Sequence, residues 1–338
     1  MNITRKSFLK GTLAAAALGV GEGLAVPNAE SKGKHEGESG MIRGLTVLTM
    51  KNNGEHTLGV KTERGILDVA AAAEALGMYA PESTDRLLQH EEGPSLNALV
   101  QAALSSNSMK HCFVAEESIV FGPVVSHPEK IVCVGLNYPM HVAESQLAMP
   151  KQPVLFNKYN NALSAHNETI HLPVDIATKF DYEVELVIVI GKEVKNISEA
   201  EALSYVAGYC VGNDFSARDL QFDTGGQWMV GKSCDQFGVL GPYMLSADLV
   251  SPDDLKIELR VNGETRQSDS TKNMIFNCSK IISYTSRMFT LKPGDIIYSG
   301  TPAGVILGLP ADQQRWLKAG DKIACSIEKL GELRFDLE

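Results

Sequence analysis

Residues 179–192 read KFDYEVELVIVIGK. Leu186 to Ile190 is an unbroken aliphatic and largely β-branched run, the composition of a strand buried on both faces. Such a strand needs a neighbour on each edge and a packed layer on each side. Yet it begins with Asp181, Glu183 and Glu185. Side chains at i, i+2 and i+4 of a strand share a face. Three carboxylates therefore enter one side of a core element and repel one another unless positive charge stands between them. A solvated edge or lysine ion pairs would also accommodate them. The apolar run behind them points instead to charges at the mouth of a core.

The surrounding chain sorts into segments. Residues 1–29 carry Arg5, Lys6 and Lys10, then a short apolar stretch, then small residues, the layout of an export signal too short for a spanning helix. TRKSFLK resembles a twin-arginine signal with Lys6 in the second arginine's place. Export to the periplasm is the expectation, with a cytoplasmic tail as the alternative. A polar linker follows at 30–40, then a small α/β module at 41–125, and a catalytic domain at 126–338 whose texture is strand after strand. Asn262-Gly263 predicts the tight turn of a hairpin. ISEAEALSYVAGY and NMIFNCSKIISYTSRMF are the clearest helices. The fold class expected is α+β and β-rich.

Charge and motif exclude several functions. A net charge of −10 without a basic cluster argues against nucleic-acid binding. The six cysteines are scattered singly and form neither a zinc spacing nor a disulfide framework. Gly226 to Ser233 matches a phosphate-binding loop letter for letter. Its interior (Trp228, Met229, Val230) is bulky, no buried strand precedes it and no helix start follows, so nucleotide binding is not expected and Lys232 needs another role.

Two clusters carry chemistry. Asp214, at the end of the β-like run GYCVGND, is a third carboxylate for Glu183 and Glu185; the alternative is an N-cap for a helix from Phe215. An oxygen-only set suits Mg²⁺, Mn²⁺ or Ca²⁺. His141 and Glu144 are spaced i, i+3, so on a helix they share a face and the carboxylate can fix the imidazole tautomer. From the spacing alone, a surface helix with an unremarkable His/Glu pair is the better reading.

Seven ordered blocks from Ile131 onward (VGLNYPMHVAE, PVLFNKYNNAL, DYEVELVIVIGK, GYCVGNDFSARDLQ, GKSCDQFGVLGP, VNGETRQSDSTKNMIF and LKPGDIIYSGTPAGV) resemble the signature blocks of the fumarylacetoacetate hydrolase family. The resemblance implies that family's mixed β-sandwich or roll, with 41–125 as a variable extension. It implies Glu183, Glu185 and Asp214 as ligands of a divalent metal, usually Mg²⁺, and His141 with Glu144 as base and partner on a lid. Lys232 would lie by metal and substrate, and Lys158, Gln221 and Thr301 would match substrate-contacting positions. Asp181 receives no ligand role and is expected to be solvated or to sit behind the ligands. The segment IVCVGLNYPM just ahead of His141 carries no carboxylate, which resembles the family's three-carboxylate subgroup.

The activity implied is C–C bond hydrolysis of a small 2-oxo, enol or 1,3-dicarbonyl acid through a metal-stabilised enolate. Keto–enol or double-bond isomerisation and 2-oxo-acid decarboxylation at the same site are alternatives, and a non-catalytic exported carboxylate binder is a more remote one. Family members commonly form homodimers.

Overall fold

The computed structural model describes residues 40–52 and 54–338; the expected signal at 1–29 and all but the last residue of the linker lie outside them. Val184–Ile190 lies within a thirteen-stranded mixed sheet. It pairs antiparallel with Val206–Asp214 on one edge and with Ile296–Tyr298 on the other. Beyond Ile296–Tyr298 come Ile131–Gly135, in parallel, and the edge strand Val154–Lys158. In the other direction the order runs through Met244–Ser246 to Thr46–Asn52, Glu55–Thr62, Gly65–Asp68 and Phe113–Val114. The strands of segment 41–125 thus extend the same sheet as those of 126–338.

A five-stranded sheet supplies the second layer, ordered Glu264–Ser270, Lys256–Val261, Lys322–Ile327, Gly331–Leu337 and Thr169–Ile170. Alternation along Val184–Ile190 now explains its composition. Val184, Leu186, Ile188 and Ile190 join a core with Ile257, Leu259, Ile323 and Phe335 of the second sheet and with Ile281 and Ile282 of helix Cys278–Met288. Val187 and Val189 join another core with Leu96, Leu99 and Val100 of helix Gly93–Ser105. Every residue of the strand is buried. Each aliphatic side chain removed from water contributes about 1.5–3 kcal/mol, so register on this strand is strongly specified. Glu183 and Glu185 share the odd parity of Val187 and Val189, at the end where that face opens.

The predicted hairpin forms, with Asn262 at φ 53 and Gly263 at φ 84, as a tight turn of that hand needs. The helix expected over ISEAEALSYVAGY is much shorter: it covers Glu199–Ala202, capped by Ser198 and Glu201, with one further tight turn. Val206 onward is strand, because pairing with Val184–Ile190 overrides the helical pattern. Among the described residues no helix is long and apolar enough to cross a membrane.

Candidate metal centre and its cavity

The two antiparallel strands bring the carboxylates together. Asp214 donates its backbone N–H to the Glu183 carbonyl at 2.9 Å, and Val184 pairs with Asn213 in the adjoining register. Glu183 and Asp214 therefore face each other across the strands, at the roughly 5 Å Cβ spacing of such pairs. Glu185 follows two residues on. One oxygen from each of the three carboxylates lies within 4.8 Å of the others, and all three residues are buried. Asp214 closes its strand instead of capping a helix; the next helix starts at Arg218.

Cations offset this charge unevenly. Lys232 Nζ donates to Glu183 Oε2 at 2.7 Å and to Asp214 Oδ2 at 2.9 Å. Arg218 Nη2 donates to Glu183 Oε1 at 2.6 Å. Lys158 Nζ faces Asp214 Oδ1 at 2.5 Å, an ion pair without hydrogen-bond alignment, and donates to the Phe215 and Phe237 carbonyls. Burial pushes the Glu183 carboxyl up, yet Lys232, Arg218 and His141 outweigh it and hold it at about 2. Glu185 has the opposite fate. Its Oε2 accepts the Gly300 N–H at 2.6 Å, but no cation reaches it within ion-pair distance among the described residues. Burial first, then the charges of Asp214 and Glu183, push its carboxyl well above the usual range. One carboxyl in the cluster thus lacks the positive charge that the other two have.

These residues fit a divalent cation of hard type: three convergent carboxylates, oxygen donors alone, and one uncompensated ligand.

Glu183 and Glu185 of the cluster, but not Asp214, line a cavity of about 300 Å³. His141 and Glu144 line the same cavity from helix Pro139–Glu144, which Pro139 starts with its φ already set for a helix. His141 Nδ1 and Glu144 Oε1 are 2.7 Å apart. The second Glu144 oxygen accepts the Gly304 N–H at 2.9 Å. The pair is therefore anchored to the 304–308 turn, and Gly308 leaves room for it: a Cβ there would come within 2.5 Å of Glu144 Cδ. With Nδ1 engaged, Nε2 is the basic atom.

Gln221 and Thr301 also line the cavity, whereas Lys158 does not and sits behind Asp214. The Thr301 hydroxyl donates to the Val184 carbonyl and accepts from Gln267. Lys232 ends helix Trp228–Lys232, so the segment that mimics a phosphate loop has its helix before the lysine and not after it. Asp181 is not solvated. It is wholly buried, receives Arg218 Nε at 2.8 Å and accepts the backbone N–H groups of Ile306 and Leu307. Arg218 was missing from the sequence reading altogether. The signal available was an arginine inside SARDLQ, close to Asp214; what hid it is that its partners, Asp181 and Glu183, lie 35 to 37 residues earlier.

A buried carboxylate triad and an anchored His–Glu pair thus meet at one cavity. The family model "Fumarylacetoacetate (FAA) hydrolase C-terminal" matches residues 130–338. A fumarylacetoacetate hydrolase domain-containing protein 2 homolog of Dictyostelium discoideum is 38% identical over 87% of this chain and 96% of its own length. Oxaloacetate tautomerase Fahd2a, mitochondrial, of Rattus norvegicus is 38% identical over 76% of this chain and 80% of its own. The solved fumarylacetoacetate hydrolase of Exiguobacterium antarcticum superposes with a TM-score of 0.71 at 30% identity, covering 87% of this chain and 99% of that one. The chain belongs to the fumarylacetoacetate hydrolase family. Its members are divalent-metal-dependent enzymes and include hydrolases, isomerases and tautomerases.

Proposed function

We propose that this chain is a divalent-metal-dependent enzyme that hydrolyses a C–C bond in a small 2-oxo or 1,3-dicarbonyl carboxylic acid. The observation that carries the reading is that Glu183 and Glu185 of the triad, Glu185 without a cation, line one cavity of substrate size together with the His141–Glu144 pair. A bound Mg²⁺ or similar cation, held by Glu183, Glu185 and Asp214, supplies Lewis acidity to a substrate carbonyl. His141 Nε2 takes the proton of an attacking water, and Glu144 stabilises the resulting imidazolium through Nδ1. As the C–C bond breaks, its electron pair forms an enolate whose negative charge develops near the Lys232 ammonium and the Gln221 amide. Protonation of the enolate carbon returns the proton from His141 and completes the cleavage.

A second reading uses the same base without water: His141 moves a proton between carbon and oxygen of a 2-oxo acid. The tautomerase name of the rat relative favours it. Following acylpyruvate cleavage and the keto–enol interconversion of oxaloacetate with Mg²⁺ and Mn²⁺ separates the two, since only the first yields two products. No turnover in either assay overturns both readings.

His141→Ala is expected to lower kcat by roughly 10²–10⁴-fold, the usual contribution of a positioned general base. Calorimetry should find its divalent-metal affinity unchanged, because the imidazole is not among the ligands. Retained activity would place the base elsewhere.

A further inference from the structure

The cavity has two unlike ends. Around the carboxylates it is polar, but the wall leading away from Lys232 is aromatic. Lys232 Nζ lies 5.4 Å from the centre of the Phe156 ring. The Phe156 ring meets the Trp228 indole edge-on at 5.5 Å, and the indole meets Phe222 edge-on at 6.5 Å. All three rings line the cavity. Trp228 opens the short helix that ends at Lys232, so the two side chains are i, i+4 and project from one face. About 6 Å of helix axis separates the backbones of Trp228 and Lys232.

Gly135 fixes where the indole sits. It ends strand Ile131–Gly135 and forms the shelf beneath Trp228, so close that a Cβ would stand 2.3 Å from indole Cζ3. No side chain larger than hydrogen fits there without pushing the indole away.

The cationic groups are all committed elsewhere. Among the described residues lining the cavity, Arg218 and Lys232 are the lysine and arginine side chains present. Arg218 is bonded to Asp181, Glu183 and Gln221, and Lys232 to Glu183 and Asp214. Lys232 meets the aromatic wall at the Phe156 ring, with its ammonium already bonded to two carboxylates. A carboxylate carried against Trp228 would give up part of its hydration to ring faces that offer it no ion pair, whereas an alkyl or aryl group would gain burial against three rings.

We propose that Trp228, seated on Gly135, is the specificity-determining residue of this site, and that it selects 2-oxo acids whose far end is apolar and uncharged over dicarboxylates of the same length. This rests on the 2-oxo-acid reading for the reactive end of the molecule and adds the identity of the other end.

The test uses the full chain loaded with Mn²⁺ and two 2,4-dioxo acids identical at the reactive end. One ends in a pentyl group, and in the other the terminal methyl is replaced by a carboxylate. Calorimetric Kd values, read apart from turnover, are expected to favour the pentyl compound by roughly tenfold or more. Trp228→Ala should reduce that preference to within roughly threefold of parity, and Gly135→Ala should do the same by displacing the indole. Trp228→Arg should reverse the preference, a gain that general misfolding cannot produce. Equal Kd values for the wild type, tighter binding of the dicarboxylate, or binding of neither compound overturns the proposal. Selective binding without cleavage of either compound refutes the hydrolytic reading alone and leaves the selection by Trp228 standing.

Discussion

Glu185→Gln will abolish tight divalent-metal binding while leaving the fold as stable as before. The two halves of that result have one cause. Glu185 accepts a single backbone N–H, from Gly300, which a glutamine oxygen can also accept, and it takes part in no ion pair that the change would orphan. Its carboxyl is held well above the usual range by burial, then by Asp214 and Glu183. A carboxyl raised in the folded state favours folding at low pH and gives up that contribution as pH climbs beyond the unfolded value of about 4.3. At neutral pH the wild-type metal-free protein therefore carries the cost of a buried carboxyl that glutamine removes. Thermal unfolding of the variant without metal should match or exceed wild type. Metal affinity should fall by more than the roughly 10–100-fold that outer-shell changes cost, since a direct ligand is lost. A ligand must shed its proton to bind, so wild-type affinity should rise with pH, and calorimetry in two buffers of different ionisation enthalpy should detect proton release. Unchanged affinity in Glu185→Gln would remove Glu185 from the site. Glu183→Gln would be the poorer experiment, because it breaks bonds from both Arg218 and Lys232 and confounds metal loss with unfolding.

The strand and its two glutamates were legible in the sequence because period-2 alternation is local: parity alone puts Glu183 and Glu185 on one face. The hairpin at Asn262-Gly263 was legible for the same reason, since two residues determine it. Asp214 was half legible. Its strand could be recognised, but that it stands opposite Glu183 is a matter of pairing register between segments some thirty residues apart. Arg218 and Asp181 mark where local reading ends. A charged residue next to an apolar run looks solvated unless its partner is known, and the partners of Asp181 include backbone N–H groups at Ile306 and Leu307. The extension of the central sheet by residues 46–122 was hidden likewise, because it depends on Thr46–Asn52 pairing with Met244–Ser246. The helix expected at Val206 is the converse case, a local pattern overruled by a pairing that the pattern does not contain.

Asp181→Ala should cost about 3–5 kcal/mol of unfolding free energy, the range for breaking a buried pair from one side. The change deprives Arg218 of the partner at its Nε and leaves the N–H groups of Ile306 and Leu307 buried without an acceptor. Urea unfolding at constant m-value reads the loss directly. A double-mutant cycle with Arg218→Met should show a coupling energy above about 1 kcal/mol, because the two residues share a bond and are not merely neighbours. Activity should fall as well, although Asp181 lines no part of the cavity. It holds the start of the Ile306–Gly308 turn; Gly304, just before that turn, donates to Glu144, and Glu144 orients His141. Loosening that chain disturbs the proposed base before it disturbs the proposed metal ligands Glu185 and Asp214, so kcat should drop with divalent-metal affinity reduced far less. A stability loss below about 1 kcal/mol would mean that water replaces the carboxylate and that the network is not structural. Equal losses of metal affinity and kcat would mean that Asp181 acts through Arg218 on Glu183 and not through the turn that holds Glu144.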